Sequence, residues 1–332
     1  MQKNYGVKFS GVGASLPSRV VTNKDLESLF ETSDEWIYTR TGIKERRVVE
    51  KNESGLSLSL DASRQALKKA NLDPKDLDLI IVSTTTPDKL YPCTACLLQG
   101  ELGAKKAASF DLSAACSGFV FGIVTGSQFI YTGQYKNILV VGVDVHSRFI
   151  DWSERSVGIL FGDGAGAVVL QSCLAKDDEL LCYSMHSEAD SNLDLILDNQ
   201  NILFSDFNKA SSSNFVRMNG KAIYQFALKV VPDVSADLLD KLNLKPDEID
   251  YFIPHQANQR IIDATSERIG LKKEQVISNI EKVGNTSAAS IPLAIVDGLK
   301  SKKIKSPCKI MLVGFGAGLT WGGAIIDWNL KL

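Results

Sequence analysis

A segment that ends a predicted helix and enters a predicted strand occurs twice in the chain, 172 residues apart. Residues 71–78, NLDPKDLD, read like residues 243–250, NLKPDEID, and both place a proline between the two apolar patterns. The same offset carries Val141-Gly142 onto Val313-Gly314, at the ends of two other predicted strands. Two matches at one offset indicate an internal duplication. The chain is therefore expected to fold as two superposable halves.

The order of the apolar patterns places both halves in the α/β class, because buried-strand patterns alternate with amphipathic helix patterns. Strands are predicted at 77–86, 136–145, 165–172, 250–255 and 309–318. Helices are predicted at 59–72, after Ser117, and at 221–244, 257–270 and 288–300. We place the two halves at residues 1–172 and 173–332. Equivalent strand ends of such halves are expected to meet, and sites of α/β sheets lie at strand ends.

Charge and cysteine usage exclude several classes of protein. The chain has 37 basic and 39 acidic residues among 332, so no global field favours nucleic acid or a membrane surface. The N-terminus does not read as a signal peptide, and no apolar stretch is long enough to span a bilayer. Six cysteines are scattered without the spacing of a disulfide framework, which predicts a reducing, cytoplasmic location.

Cys116 lies in the motif DLSAACSGF, residues 111–119, where an apolar segment runs into small residues and a long helix follows. The small residues permit close backbone approach and leave the sulfur near a helix N-terminus. The helix dipole and free N–H groups there favour the thiolate. Lowering the thiol pKa from ~8.5 to ~7 would raise the thiolate fraction at neutral pH to about half. A small buried residue in a packed turn is the structural alternative for a lone cysteine.

Two further polar residues follow predicted strands at matching places. His255 lies in PHQAN, residues 254–258, and Asn285 lies in GNTSAAS, residues 284–290. Each has an ordinary structural alternative: a hydrogen-bonded core histidine, and an Asx turn or helix N-cap. At offset 172 His255 falls on Ser83, and the Cys116 segment falls on the Asn285 segment. Because these candidate residues lie at equivalent strand ends of the two halves, a chemical role is favoured over the structural alternatives.

Two glycine-rich turns and a cysteine pair complete the candidates. Residues 314–319, GFGAGL, follow a strand and can turn backbone N–H groups toward an oxyanion, but lack the helix and distal acid of a dinucleotide site. Residues 161–166, FGDGAG, are interpreted as a structural turn at the junction of the halves. Cys93 and Cys96 have no second pair for a zinc site and are interpreted as buried cysteines on a helix face. No metal is expected.

Taken together, the motifs DLSAACSGF, PHQAN and GNTSAAS, in this order, resemble the β-ketoacyl-acyl carrier protein synthase III family of the thiolase fold. The resemblance extends over essentially the whole chain, from TSDEWIYTRTGI at 32–43 to GFGAGLTWG at 314–322. It implies an α/β, thiolase-like fold with two duplicated halves in a layered αβαβα architecture. The N-terminal half carries the nucleophilic cysteine, and the C-terminal half carries the histidine and asparagine.

The resemblance implies a decarboxylative Claisen condensation. Cys116 would take the acyl group of a short acyl-CoA such as acetyl-CoA. Malonyl-acyl carrier protein would then lose carbon dioxide, and its enolate would attack the acyl-cysteine to give a 3-ketoacyl-acyl carrier protein, which initiates type II fatty acid synthesis. His255 and Asn285 would donate to the malonyl thioester oxygen, and the backbone N–H groups of Cys116 and Ala317 would form a second oxyanion hole. Acyl-CoA is then a substrate, and no cofactor is expected.

The resemblance also implies a CoA site. Thr32 and Glu35 fit a capping box at the start of a helix on which Trp36 and Arg40 share a face. Trp36 and Arg155 would stack on adenine, with Arg40 near the same nucleotide. The full CoA set is Thr32, Trp36, Arg40, Arg155, Gly220, Tyr224, Ala227 and Asn258. The last four would line the pantetheine tunnel.

Three further expectations follow from the resemblance. The starter pocket would include Phe315 and, from the partner subunit of a homodimer, Tyr91, whose bulk indicates a short starter. Carrier-protein docking would use Arg260. The family's other basic docking positions read Gln225 and Glu267-Arg268 here, and Lys221, Lys229, Lys272 and Lys273 are candidate replacements. Residues 187–216 are interpreted as a flap over the entrance, with a plain surface loop as the alternative.

Other members of the fold, and two other functions, are weighed against this interpretation. Elongating synthases use cysteine with two histidines, and neither His146 nor His186 lies in a matching turn. Thiolases need a second cysteine in the C-terminal glycine turn, and residues 314–318 have none. A secondary-metabolism ketosynthase with another starter or extender would keep the same three residues. A non-catalytic binding subunit would need none of them.

Overall fold

The computed structural model describes residues 4–198 and 215–330. Its strands there are β1 (Tyr5–Ser15), β2 (Arg19–Thr22), β3 (Glu45–Val48), β4 (Leu79–Ser83), β5 (Ala108–Leu112), β6 (Asn137–Asp144), β7 (Gly164–Leu174), β8 (Leu180–Ser187), β9 (Leu195–Ile196), β10 (Arg217–Met218), β11 (Tyr251–Pro254), β12 (Cys308–Gly316) and β13 (Thr320–Trp328). Its helices are α1 (Asn23–Leu26), α2 (Asp34–Thr41), α3 (Gly55–Ala70), α4 (Thr94–Leu102), α5 (Gly118–Tyr131), α6 (Arg155–Gly158), α7 (Gly220–Leu242), α8 (Gln259–Ile269), α9 (Ile280–Val283) and α10 (Ser290–Lys300).

Two mixed sheets form the frame of the molecule. One has the strand order β1-β7-β6-β4-β5, and the other has the order β11-β12-β13-β8. β4 is parallel to β5 and β6, and β11 is parallel to β12, while the remaining pairs within these sheets are antiparallel. All five residues of β4 are buried, as expected for a parallel strand covered by helices on both faces. The five predicted strands and five predicted helices are present, and β1, β5, β8 and β13 are the further strands of these two sheets.

The two sheets repeat one arrangement, as the duplication predicts. β1, β7, β6 and β4 have the same neighbours in the first sheet as β8, β13, β12 and β11 have in the second. At offset 172, Asn71 and Asn243 both take left-handed backbone, with φ of 51° and 52°. Ala115 and Ser287 do the same, with φ of 45° and 49°. The thiolase-like fold with duplicated halves is therefore confirmed.

The halves differ at one sheet edge and in their junction. At the position equivalent to β5 the second half has the short helix α9 rather than a strand. The predicted boundary after residue 172 falls inside β7, which runs to Leu174, and β8 begins at Leu180. We therefore propose residues 175–179 as the junction between the halves.

The helices α5 and α10 lie between the two sheets and join the halves through one core. This core includes Phe119 and Val120 from α5, Ile291 from α10, Ile138 from β6 and Ile310 from β12. Both helices are preceded by 3-10 turns, at Ala115–Ser117 and Ser287–Ala289. The fold therefore brings two helix N-termini, one from each half, to the centre of the molecule.

Two equivalent glycines let each half approach the turn of the other. A Cβ on Gly142 of β6 would lie 2.3 Å from the carbonyl oxygen of Ala288, and a Cβ on Gly314 of β12 would lie 2.9 Å from the Cα of Ser117. Both distances are shorter than real Cβ contacts allow, so larger residues would push the turns away.

No helix in the described ranges is long and apolar enough to cross a membrane.

Candidate active site

Cys116 occupies the 3-10 turn between β5 and α5 and is buried. Its Sγ lies 3.3 Å from Oγ of Ser287, which belongs to the equivalent turn of the other half. A Cβ on Gly316, at the end of β12, would lie 2.9 Å from the backbone nitrogen of Cys116 and 3.3 Å from its sulfur. The sulfur is therefore held where α5, β12 and the Ser287 turn converge.

The protonation state of Cys116 differs from the sequence-based expectation. Burial raises the pKa of the thiol to about 12, and the negative charge of Asp144 adds to that rise, while the hydrogen bond from Ser287 opposes it. The cost of burying a charged thiolate outweighs the hydrogen bonds that favour it, so the net shift of this pKa is upward. The expectation that this position favours the thiolate is therefore wrong, and burial keeps Cys116 a thiol at neutral pH.

His255 follows β11 and is 2% exposed. Its Nδ1 lies 2.7 Å from Oγ of Ser290, at the N-terminus of α10, and its ring packs edge-to-face on Phe315 with centroids 5.2 Å apart. Burial lowers the pKa of His255 to about 3, and the nearby His146 adds to that fall. The imidazole is therefore neutral at physiological pH, with Nδ1 bound and Nε2 left for another partner.

Asn285 makes the Asx turn that the sequence allowed as its structural alternative, and this turn orients its amide. Its Oδ1 accepts a hydrogen bond of 2.9 Å from the backbone N–H of Ser287. Its backbone nitrogen donates to Leu160 O at 2.9 Å, and its backbone oxygen accepts from Gly162 at 3.0 Å. With the oxygen engaged, the side-chain NH₂ group is directed to other acceptors. The Asx turn is therefore compatible with the predicted chemical role.

Two cavities meet at Cys116. The first, of about 220 Å³, is lined by Cys116, His255 and Asn285 together with Phe315 and residues of α7 and α8. The second, of about 390 Å³, is lined by Cys116, His146 and Ala317, together with β9 and the residue before β10, Val216. Phe161 borders both cavities. The structure thus brings the three predicted catalytic residues to one cavity and gives the sulfur a second cavity of its own.

The turn at residue 317 borders the second cavity and has the backbone that the oxyanion prediction requires. Ala317 does not have a positive φ, whereas the next residue, Gly318, has φ of 137°. The hydroxyl of Thr320 lies 3.1 Å from the carbonyl oxygens of both Ala114 and Ala317. These contacts tie the glycine turn to the Cys116 turn.

The predicted nucleotide site contains a stacked group of three side chains. The guanidinium carbon of Arg40 lies 4.2 Å from the Trp36 ring centroid, and that of Arg155 lies 4.5 Å from it. The capping prediction is wrong in one position: Ser33, not Thr32, is the N-cap of α2, and its hydroxyl accepts from the Trp36 N–H at 3.1 Å. The hydroxyl of Thr32 is buried without a hydrogen-bond partner.

Three of the four predicted tunnel residues line the first cavity. Gly220 and Tyr224 of α7, Asn258 at the N-cap of α8, and Arg40 all line the first cavity. Asn258 donates to Arg40 O at 3.0 Å, which ties α8 to α2. Ala227 is an exception, because it is fully buried in the core beneath α7 and does not line the cavity.

The two predicted starter-pocket residues are not brought together within one chain. Phe315 lines the first cavity rather than the second, because its ring packs against His255. Tyr91 lies between β4 and α4 with 87% of its surface exposed, and it borders neither cavity. Phe315 therefore lies on the His255 side of the sulfur, and Tyr91 borders neither of these cavities of its own chain.

The cysteine pair and the second glycine turn lie outside the two cavities or serve local structure. Cys93 is half-buried at the N-cap of α4 and Cys96 is exposed, so the prediction of two buried cysteines is wrong. Asp163, in the turn at 161–166, accepts from the backbone N–H groups of Val49 and Ser147 at 2.8 and 2.9 Å. Within the described ranges, no cluster of His, Cys, Asp or Glu is suited to hold a metal.

Several residues of the site were not found from the sequence. His146 lines the second cavity, and Ser290 holds His255. Asp144 is fully buried, and its carboxylate accepts from Thr84, Thr85 and Thr86 of one half and from the Ala288 N–H of the other, at 3.2 Å. The duplication gave one signal that could have found Ser290, because at offset 172 it corresponds to Gly118, the first residue of α5. Of the predicted flap, residues 199–214 lie outside the described residues.

Comparison with known proteins gives a consistent result across the chain. Family models described as 3-oxoacyl-[acyl-carrier-protein] synthase III and its C-terminal part match residues 110–189 and 239–328. The β-ketoacyl-[acyl-carrier-protein] synthase III of Trichodesmium erythraeum is 46% identical over 330 residues, covering 98% of this chain and 99% of that protein.

Two solved structures superpose on nearly the whole chain. The 3-oxoacyl-[acyl-carrier-protein] synthase III of Aquifex aeolicus gives a TM-score of 0.90 at 43% identity, covering 97% of this chain and 100% of its own. The priming β-ketosynthase of the R1128 polyketide pathway gives a TM-score of 0.92 at 32% identity, covering 100% of this chain and 99% of its own.

Proposed function

Because this chain belongs to the β-ketoacyl-[acyl-carrier-protein] synthase III family, we propose that it condenses a short acyl-CoA with malonyl-acyl carrier protein. The product is a 3-ketoacyl-acyl carrier protein, which initiates type II fatty acid synthesis. One observation carries the proposal at the level of residues: Cys116, His255 and Asn285 line one cavity, and the sulfur of Cys116 also borders a second. Such a junction suits a two-substrate condensation, since an acyl group held on Cys116 in the second cavity leaves the first cavity free for the extender.

In the first step the Cys116 sulfur attacks the thioester carbonyl of the acyl-CoA. The bond to the CoA sulfur breaks, and CoA leaves as a thiol with the proton that Cys116 gives up. The backbone N–H groups of Cys116 and Ala317 stabilise the oxyanion, since both residues border the second cavity and Ala317 has an ordinary φ. Because burial raises the thiol pKa to about 12, proton loss accompanies attack rather than preceding it.

In the second step His255 and Asn285 hold the oxygen of the malonyl thioester. The Asn285 amide is free to donate, because its oxygen already accepts from Ser287. The Ser290 oxygen accepts from the Gln256 N–H at 3.4 Å, so its own hydrogen is available to Nδ1 of His255. That arrangement puts the ring proton on Nε2, which makes the neutral imidazole a donor.

Loss of carbon dioxide leaves an electron pair that becomes the enolate, with its charge on the oxygen between these two donors. The enolate carbon attacks the acyl carbonyl carbon on Cys116, the carbon–sulfur bond breaks, and the sulfur is reprotonated. The apolar wall around the cavity, which includes Ile159, Leu160 and Phe315, disfavours the malonyl carboxylate and therefore favours its departure.

Substrate binding uses the predicted outer residues. Adenine would stack in the group formed by Trp36, Arg40 and Arg155, whose planar faces suit a purine. Lys221 and Arg260 begin the helices α7 and α8 that flank the first cavity, and both are exposed, so they are placed to meet an acidic carrier protein.

Assembly and location belong to the same proposal. Leu90 and Tyr91 are 71% and 87% exposed on one loop, which supports a homodimer in which this loop reaches the partner subunit. All six cysteines are free, which supports a reducing, cytoplasmic location.

The test is a coupled condensation assay. The purified protein is incubated with acetyl-CoA and malonyl-acyl carrier protein, and the carrier protein is analysed by intact mass. Formation of acetoacetyl-acyl carrier protein with loss of carbon dioxide supports the proposal. Condensation only with malonyl-CoA would contradict the carrier-protein step and favour the secondary-metabolism alternative. Folded protein that neither takes up acetyl nor condenses would favour a non-catalytic subunit.

A further inference from the structure

His146 is a buried histidine that the proposed mechanism leaves unused. It begins a short 3-10 turn, His146–Phe149, two residues after the last residue of β6, and it is 7% exposed. Its ring stacks on Phe161 with centroids 4.8 Å apart and planes inclined by 15°. Its Nδ1 is buried and has no hydrogen-bond partner. The side chain lines the second cavity, which also contains Cys116.

In the proposed function, the second cavity is the place for the acyl group. His255 and Asn285 line only the first cavity, where they hold the malonyl thioester. Ala317 lines only the second, and Cys116 lines both. An acyl group on the Cys116 sulfur, with its carbonyl oxygen toward the Ala317 N–H, therefore extends into the second cavity. His146 belongs to the wall that this acyl chain meets.

Three other polar side chains of that wall have partners, and Ser113, a fourth, is exposed. The hydroxyl of Thr85 lies 3.1 Å from Asp144, that of Ser287 lies 3.3 Å from the Cys116 sulfur, and that of Thr320 lies 3.1 Å from Ala317 O. Among the buried side-chain atoms of the described wall, Nδ1 of His146 is the one left without a partner. Buried polar groups are rarely left so, and a ligand oxygen that reaches the ring would satisfy it.

The charges around the cavity decide which kind of oxygen fits. The described wall contains no lysine or arginine. The buried carboxylate of Asp144 accepts from Thr85 in the wall, and Asp163 bonds to Ser147, the neighbour of His146. A carboxylate on the acyl chain would therefore meet negative charge without a cation to balance it. A hydroxyl or keto oxygen carries no such penalty.

We propose that His146 is a specificity-determining residue, which hydrogen-bonds a neutral oxygen on the acyl chain. The enzyme then takes a short acyl-CoA that carries a hydroxyl or keto group in preference to the unsubstituted acyl-CoA of the same length. The inference rests on the proposed function and names the substrate class of its first step. Acetyl remains acceptable as the smallest starter, although it leaves His146 unused.

The test is a competition between thioesters of equal length. Wild-type protein is incubated with equal concentrations of 3-hydroxybutyryl-CoA and butyryl-CoA, and the Cys116 peptide is analysed by mass spectrometry at early times. One hydrogen bond to a buried neutral group predicts a ratio of about ten in favour of hydroxybutyryl. A ratio of one or less overturns the inference but leaves the proposed function intact. Absence of any acyl-Cys116 defeats the proposed function itself.

Variants link the ratio to the residue. His146→Leu should bring the ratio to one or below, and His146→Gln, which keeps a hydrogen-bonding group, should hold it above one. His186→Leu is the matched control, because His186 stacks on Trp321 and contacts Ser184, away from both cavities. A ratio unchanged in His146→Leu overturns the inference, as does a preference of wild type for succinyl-CoA over both other donors. The wild-type ratio decides the matter even where a variant does not fold.

Discussion

At the end of β4, in the first half, the Ser83 hydroxyl donates to Gly118 O at 2.7 Å. At the equivalent place in the second half, His255 lies 2.7 Å from the Ser290 hydroxyl. Residues 83 and 118 become 255 and 290 at the offset of 172, so one contact has been kept while its chemistry has changed. In the first half it closes a turn, and in the second it orients an imidazole toward the cavity.

The two 3-10 turns show the same division of roles. Ala115 and Ser287 share left-handed backbone, but the first precedes the nucleophile Cys116 and the second places a hydroxyl 3.3 Å from its sulfur. Each half thus supplies a different part of one site from a common scaffold. The comparison teaches that the backbone specifies where groups meet, while single side chains specify what each half contributes.

The largest expected effect separates the two equivalent strand ends. His255→Ala removes one of two donors to the enolate oxygen, so the condensation rate should fall by about 10²–10³. Acylation of Cys116, which does not use that donor, should persist, and stopped assays with malonyl-acyl carrier protein and with acyl-CoA alone measure the two steps. Ser83→Ala is the matched control from the first half and should condense within about threefold of wild type. Equal losses in both variants would contradict the division of roles.

The next effect concerns the glycines through which the halves touch. Gly142→Ala would place a methyl group 2.3 Å from Ala288 O, so overpacking should lower the free energy of unfolding by about 1–3 kcal/mol. Gly314→Ala, with its closest contact at 2.9 Å, should cost less. Urea denaturation measures both.

The control for these variants is Gly100→Ala in α4, where a Cβ meets nothing within 4 Å. It should leave the protein as stable as wild type or stabilise it, because alanine favours a helix over glycine by ~1 kcal/mol. A Gly142→Ala protein as stable as this control would show that the halves do not pack as closely as described.

The pH dependence of the Cys116 alkylation rate tests whether the sulfur is buried where the two cavities meet. Its pKa is raised to about 12, so the thiolate fraction should rise about tenfold per pH unit from pH 7 to 9. The rate of Cys116 alkylation by iodoacetamide, followed by peptide mass spectrometry, should rise in parallel without a plateau. In urea-unfolded protein the same rate should level off above ~8.5. A plateau near pH 7 in folded protein would instead support the lowered pKa expected from the helix N-terminus.

The smallest effect concerns Ser290, a positioning residue. Ser290→Ala removes the partner of Nδ1 on His255, so the ring no longer favours the tautomer that donates from Nε2. Condensation should slow by about five- to tenfold, the value of one hydrogen bond, while acylation stays unchanged. A Ser290→Thr variant, which keeps the hydroxyl, should recover part of the rate. Loss of acylation and condensation together would mean that Ser290 is merely structural.

Much of this account could be predicted from the sequence because the duplication repeats local signals. The helix end at Asn71 and Asn243, the strand ends and the three motifs all depend on neighbours in the chain. Their meeting at one cavity followed from the α/β class and the shared offset. Tyr224 and Asn258, for which a place in the pantetheine tunnel is predicted, both lie on the wall of the first cavity, because each is near the start of a predicted helix.

The remaining features depend on contacts between distant segments. The raised pKa of Cys116 comes from its burial, which depends on segments distant in the chain such as Gly316 and which no local motif reports. Ala227 lies on a helix face that packs into the core rather than the cavity. His146 follows a strand in an unremarkable motif, and its position on the cavity wall depends on segments far away in the chain.

Acylation of Cys116 is the measurement that tests the central claim most directly. The purified protein is incubated with acetyl-CoA, digested without reducing agents that cleave thioesters, and mapped by peptide mass spectrometry. The account predicts acetyl on the Cys116 peptide alone, and none in a Cys116→Ala variant. Folded protein without acetyl, or with acetyl chiefly on the exposed Cys96, would contradict the claim that the two halves assemble a condensing site around Cys116.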